Sequence, residues 1–257
     1  MQIAIVLYPG FTALDIVGPY EVLRGIPDAE IRFVWSETGP VMSDSGVLMM
    51  GATHSFEETP RPDMILVGGS GSTTAITARN EELLAWLRGA HEAAAWTVSV
   101  CTGSIILGSA GLLEGRPATT HWMAMPLLEG LGALPVADER VVRSGKIVTG
   151  AGVSAGIDVA LWVVGQVSGD ETARAAQLMI EYDPQPPYDS GSVQKADAAT
   201  KRAVGTYMAR EASTAIASEP GMLARELGGS AQLAWRTALA KARRRRFGVF
   251  GRGRRTV

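Results

Sequence analysis

The chain has 257 residues, 46% of them hydrophobic and 19% charged, with 30 Gly and 13 Pro, which excludes a disordered chain and allows a sizeable core without disulfides. Its 24 basic and 26 acidic residues nearly balance, yet Lys241, Arg243, Arg244, Arg245, Arg246, Arg252, Arg254 and Arg255 crowd the C-terminus. What remains is an acidic body, unlike a nucleic-acid-binding face, followed by a solvated basic tail.

In chain order, residues 3–8 (IAIVLY) read as a first strand that turns at Pro9-Gly10. No basic leader precedes that run, so it does not resemble a signal peptide. A helix is expected over 15–24, then a strand over 31–35 (IRFVW). Residues 41–51 (VMSDSGVLMMG) suggest a small hairpin or edge strand, because Asp44 and Gly46 form a turn-like cluster between apolar residues. The run 64–67 (MILV) is a third strand of the main series, followed by a helix over 80–95, a strand over 97–100 (TVSV) and a helix over 103–111. A helix over 121–130, a strand over 147–149 and a helix over 155–168 continue the alternation.

This alternation predicts an α/β fold with a largely parallel sheet, and the almost wholly apolar strand runs predict helices on both faces. Residues 183–192 (DPQPPYDSGS) form a Pro-rich loop that cannot be helical. Two helical segments, 196–217 and 222–246, precede the Arg/Gly tail. The compositional break near residue 210 divides the chain into an α/β domain, 1–210, and a helical extension with a basic tail, 211–257. No apolar stretch reaches the length of about 18 residues that a membrane span needs.

Cys101 is the only cysteine. A lone thiol forms neither an intramolecular disulfide nor a Cys-rich zinc site, which suits a reducing, cytoplasmic setting. It falls between the strand 97–100 and a helix beginning in Thr102-Gly103-Ser104, the arrangement of a nucleophile elbow. A thiol at a helix N-terminus is expected to have a lowered pKa. The loop Gly68-Gly69-Ser70-Gly71-Ser72 ends another strand, and its N–H groups, with that of Thr102, are candidates for a hole that stabilises developing negative charge. It lacks the Gly-Lys-[Ser/Thr] ending of a phosphate loop.

Asp15 stands at the start of the first helix, where it reaches Cys101 if their two strands are neighbours; spacing alone leaves open whether it is an acid/base group or an ordinary helix N-terminal acid. Glu21, nearly two turns further on, points elsewhere. His121 opens a helix after a short strand and is the histidine best placed for a site, whereas His54 and His91 look like loop and helix-surface residues. No pair of histidines has metal-ligand spacing, so no metal site is expected.

Together YPGFTALDIVGPYEVL, DMILVGGSG, VSVCTGS with ILGSAGLLEGRPATTHW, and PQPPYDSGS resemble the ThiJ/PfpI family of the class I glutamine-amidotransferase-like superfamily. The likeness runs from residue 1 to about residue 208 and, within the family, is to isonitrile hydratases. It implies a flavodoxin-like three-layer sandwich, a homodimer, no cofactor, an isonitrile as small-molecule substrate and Cys101 as nucleophile. Many relatives carry Glu where this chain has Asp15; the shorter acid matches the hydratase pattern, with Asp15, Cys101 and Thr102 as its functional trio. That difference argues against glyoxalase and deglycase activity. The resemblance also leaves other readings: a hydrolase or amidase, a cysteine redox sensor, and the ligand-sensing domain of a DNA-binding regulator, for which the chain after residue 208 is short.

Overall fold

The computed structural model describes residues 1–218, with side chains as far as residue 210. β1 (Gln2–Val6) leads through the Pro9-Gly10 turn into α1 (Ala13–Leu23), and β2 (Glu30–Trp35) follows. β3 (Gly39–Met42) and β4 (Met49–Ala52) pair as an antiparallel hairpin, before β5 (His54–Ser55) and β6 (Met64–Val67). Next come α2 (Thr74–Thr77), α3 (Glu81–Ala93), β7 (Trp96–Ser99) and α4 (Gly103–Ser109). After β8 (Pro117–Ala118), α5 (Met125–Gly130) and β9 (Leu134–Pro135), the hairpin of β10 (Val141–Ser144) and β11 (Ile147–Gly150) completes the main sheet. α6 (Ala155–Ser168), α7 (Asp170–Met179) and α8 (Ala198–Ser218) end the described chain.

The main sheet has seven strands in the order β10-β11-β7-β6-β1-β2-β5, parallel throughout except for β10 against β11. From β1 the chain moves through α1 to β2 in one direction; from β6 it moves through α3 to β7 in the other. Right-handed crossovers then place α1 and α3 on opposite faces. α1, α6 and α7 pack as one layer, and α2 and α3, with α5, gather around α4 as the other. This is the expected flavodoxin-like three-layer sandwich.

β1 and β6 lie side by side at the point where the chain reverses direction, and a crevice opens there at the carboxyl ends of the strands. Val67 pairs with Val6 on one side and with Ser99 on the other. The loops after β1, β6 and β7 therefore leave the sheet from one rung. All four residues of β6 are buried, as are Ile3, Ile5 and Val6 of β1. Each large aliphatic side chain contributes about 1.5–3 kcal/mol by leaving water, so this edge of the sheet is a rigid platform.

The expected strands and helices are present with their ends moved by a few residues. The helix expected at 121–130 starts instead as a 3-10 turn, Trp122–Ala124, because Pro126 has no N–H to donate back into a continuous α-helix. β8 is the short strand expected before His121, whereas α2, α7, β5, β9 and β10 are additional elements; α7 is separated from α6 by Gly169, whose φ of +87° lies in the left-handed region. Residues 183–192 are irregular, as expected of a Pro-rich loop, and α8 matches the first of the two expected helical segments. The second, 222–246, and the basic tail lie outside the described residues. No helix among the described residues is long and apolar enough to cross a membrane.

Candidate active site

Cys101 occupies the tight turn between β7 and α4 with a φ of +56°, a conformation that costs a non-glycine residue about 1–3 kcal/mol. Hydrogen bonds on every side hold it there. Its N–H donates to the Ala151 carbonyl at 2.8 Å, and its carbonyl accepts from the Thr120 hydroxyl at 2.9 Å and the Ser104 hydroxyl at 3.3 Å. The thiol is buried yet borders a cavity of about 550 Å³ at the carboxyl edge of the sheet.

Asp15 approaches Cys101 by a different route from the one expected. β1 and β7 are not neighbours, for β6 separates them. The carboxyl crosses that gap because the chain after β6 is Gly68-Gly69. A Cβ on Gly68 would strike Ile16 and Asp15, and one on Gly69 would strike Thr102 and crowd Asp15 Oδ2. The glycines therefore serve as space. Gly69 donates its N–H to Asp15 Oδ2 at 2.6 Å and accepts from the Thr12 N–H at 3.0 Å, while Tyr8 donates its hydroxyl to the Gly68 carbonyl at 3.0 Å.

Asp15 is fully buried, and its Oδ1 has no hydrogen-bond partner. Burial raises the carboxyl to about 7, while the Gly69 N–H and the Cys101 thiol stabilise its anion and hold it from going higher. For Cys101 the expected lowering is reversed. Burial and the negative charge of Asp15 push the thiol up, outweighing the N–H groups of Thr102 and Val153 that point toward the sulfur. Above about pH 7 the two buried acids hold one proton between them, and they titrate as a pair.

The proposed hole for developing charge is also corrected. The Gly69 N–H is committed to Asp15, and the Ser70 N–H to the hydroxyls of Thr102 (3.0 Å) and Thr74 (3.2 Å). The N–H groups of Ser72 and Thr73 donate to Ser70 Oγ. That of Thr102 is directed at the sulfur itself. These donors are spent on the loop and the pair, so Gly69 and Ser70 shape the site without offering their N–H groups to a ligand.

Thr102 lines the cavity, and its hydroxyl lies 2.7 Å from that of Thr74 and 3.2 Å from the Ser70 carbonyl. His121 lines the same cavity and caps the 3-10 turn by accepting the Met123 N–H at Nδ1, at 3.4 Å. Burial lowers its pKa, which keeps the ring neutral, with Nε2 left to carry the proton. Glu21 pairs with Arg24 on the surface, and His54 and His91 bond the hydroxyls of Thr53 and Thr97 away from the cavity. Among the described residues no group of three His, Cys, Asp or Glu is arranged to hold a metal ion.

Sequence reasoning missed Thr12, Asp44, Val153, Tyr207 and Met208 as parts of the cavity wall. Asp44 read as a turn residue, which it also is. Val153 contributes a backbone N–H, which any residue carries and no motif reveals. Tyr207 and Met208 belong to α8, brought back over the site after the Pro-rich loop.

The model of the DJ-1/PfpI family matches residues 1–166. The chain belongs to the DJ-1/PfpI family. It is 44% identical over 215 residues to a protein of Pseudomonas putida named isonitrile hydratase, covering 82% of this chain and 93% of that one. Among solved structures it is similar to a ThiJ/PfpI family protein from Pseudomonas syringae, with 38% identity, a TM-score of 0.77, and coverage of 82% of this chain and 89% of the other. A helix-turn-helix transcriptional regulator of Pseudomonas aeruginosa is 31% identical over 175 residues, covering 65% of this chain but only 51% of the regulator.

Proposed function

We propose that this protein hydrates an isonitrile to an N-substituted formamide, with Cys101 as nucleophile and Asp15 as the group that moves the proton. The observation that carries the reading is the buried pair: a thiol bordering a cavity, backed by a carboxyl with a raised pKa and one free oxygen. The 44% identity to an isonitrile hydratase over 93% of its length supports the choice of substrate.

The terminal carbon of R–N≡C accepts both a nucleophile and a proton. Asp15 takes the thiol proton, the sulfur attacks that carbon, and Asp15 returns the proton to the same carbon. The product is a thioimidate, R–N=CH–S–Cys101, and Asp15 is left ionised. Water then adds to the C=N carbon, one of its protons passing by way of Asp15 to the nitrogen. The C–S bond breaks, the remaining hydroxyl proton returns to the Asp15/Cys101 pair, and R–NH–CHO leaves. Thr102, on the cavity wall, orients the water or the substrate nitrogen, and neutral His121 borders the substrate. A second long carboxylate arm is unnecessary because attack and protonation occur at one atom, which suits Asp better than Glu beside the sulfur.

The same reading takes residues 1–210 as the catalytic domain, working as a homodimer in a reducing cytoplasm. Conversion of an alkyl isocyanide to its formamide by the purified protein, beside Cys101→Ala, tests the chemistry. Turnover absent from the variant is expected; no turnover by folded protein with a titratable thiol would reject the reading. Light scattering in solution tests the dimer.

A further inference from the structure

One carboxylate on the cavity wall takes no part in the steps above. Asp44 lies in the turn between β3 and β4 and borders the cavity together with Cys101, Thr102 and His121. It is held in place from two directions: its N–H donates to the Phe11 carbonyl at 3.0 Å, and its Oδ2 accepts from the Thr12 hydroxyl at 2.5 Å. Gly71 leaves open the space between Asp44 Oδ2 and Met208 Cε, where a Cβ would touch both.

The charges around Asp44 are one-sided. Among the described residues no lysine or arginine lines the cavity, and none of their ion pairs includes Asp44. The polar groups near it, Thr12, Ser45, Ser70, Ser72 and Thr74, are neutral, and burial keeps His121 uncharged. Its charge also disfavours the anions of Asp15 and Tyr8. The carboxylate on the wall of this recess has one neutral hydroxyl for a partner and, among the described residues, no opposite charge beside it, so a cation entering the recess gains its attraction. The remaining wall, with Ile105, Ala124, Leu127 and Met208, suits an alkyl chain.

We infer that the substrate carries a cationic amine on the substituent of its isonitrile nitrogen, received by Asp44 while the isonitrile carbon lies at Cys101. The identity of the reacting group rests on the hydratase reading; the preference for a cation does not.

Two measurements separate these. In the first, kcat/KM is compared for dimethylaminopropyl isocyanide, cationic at neutral pH, and uncharged isohexyl isocyanide, in the full-length protein and in Asp44→Asn, which still accepts from Thr12. The native protein should favour the amine by about tenfold, the effect of one ion pair in a half-enclosed site, and the ratio should fall to near unity in the variant. In the second, Cys101 is labelled with trimethylammonioethyl, methyl and sulfonatoethyl methanethiosulfonates, each rate normalised to a free thiol in solution. The native order should be cation, neutral, anion, and Asp44→Asn should compress it. The labelling needs no turnover and has one cysteine to report.

A ratio that stays the same in the variant, with both substrates slowed equally, means that Asp44 acts on Asp15 alone and overturns the proposal. So does labelling without preference for the cation. Labelling that shows the preference and loses it in the variant, with no isonitrile turned over, rejects the hydratase reading and leaves the cation site standing.

Discussion

Asp15 and Cys101 meet across a strand that belongs to neither of them. Asp15 follows β1, Cys101 follows β7, and β6 lies between. They meet because β6 ends on the same rung as both neighbours and continues as Gly68-Gly69, over which a short carboxyl can pass. Because the pair is enclosed, burial raises both acids, Asp15 raises the thiol further, and the thiol in turn stabilises the Asp15 anion, so the two titrate together.

Asp15→Asn keeps an acceptor for the Gly69 N–H but cannot take up the thiol proton. Isonitrile turnover should fall by about 10²–10⁴, the range for loss of a positioned acid/base group, while the far-UV circular dichroism is retained. Steady-state formamide production at saturating isocyanide measures this, and full activity in the variant would remove Asp15 from the proposed steps.

The raised carboxyl makes two pH predictions. Activity in kcat/KM should decline as pH falls through about 7, because a second proton on the pair removes the base. Stability should run the other way. The folded state binds the Asp15 proton more tightly than the unfolded chain does, so its contribution is complete below about pH 4 and is lost as pH rises toward about 7. Asp15→Asn should therefore be more stable than the native protein at pH 8, by up to about 4 kcal/mol, and scarcely different at pH 4. Thermal melts at both pH values decide the matter; equal Tm differences at the two would show that the carboxyl is not perturbed by folding.

Gly69→Ala puts a methyl where Thr102 and Asp15 Oδ2 lie. The expected loss of stability is about 1–3 kcal/mol, typical of overpacking, with a much larger loss of kcat because the two displaced groups both act on the Cys101 thiol. Urea unfolding beside kinetics measures both. A variant that is destabilised but fully active would mean the spacing over β6 is not needed for the reaction.

Thr102→Val keeps the shape of the side chain and removes the acceptor for the Ser70 N–H and the partner of the Thr74 hydroxyl. This should cost about 1–3 kcal/mol and raise KM through disorder of the 70–74 loop, whereas Thr102→Ser should restore most of both. If the Ser variant were as impaired as Val, the hydroxyl alone would not account for the contribution of Thr102.

The sequence by itself determined the repeating strands and helices, because buried strands show as short apolar runs and their ends as glycine or a turn. It also determined that Cys101 would stand at a strand-to-helix turn and Asp15 near the start of α1, since both positions follow from local pattern. Only the tertiary structure decided the order of the strands, and with it that β6 separates the two acids. Only there did the N–H groups of Gly69 and Ser70 turn out to be occupied, the thiol to be raised rather than lowered, and Asp44 and α8 to reach the cavity. The physical reason is common to all of these: hydrogen-bond partners and desolvation depend on what packs nearby from distant parts of the chain, whereas propensity and periodicity report only on the residues adjacent in it.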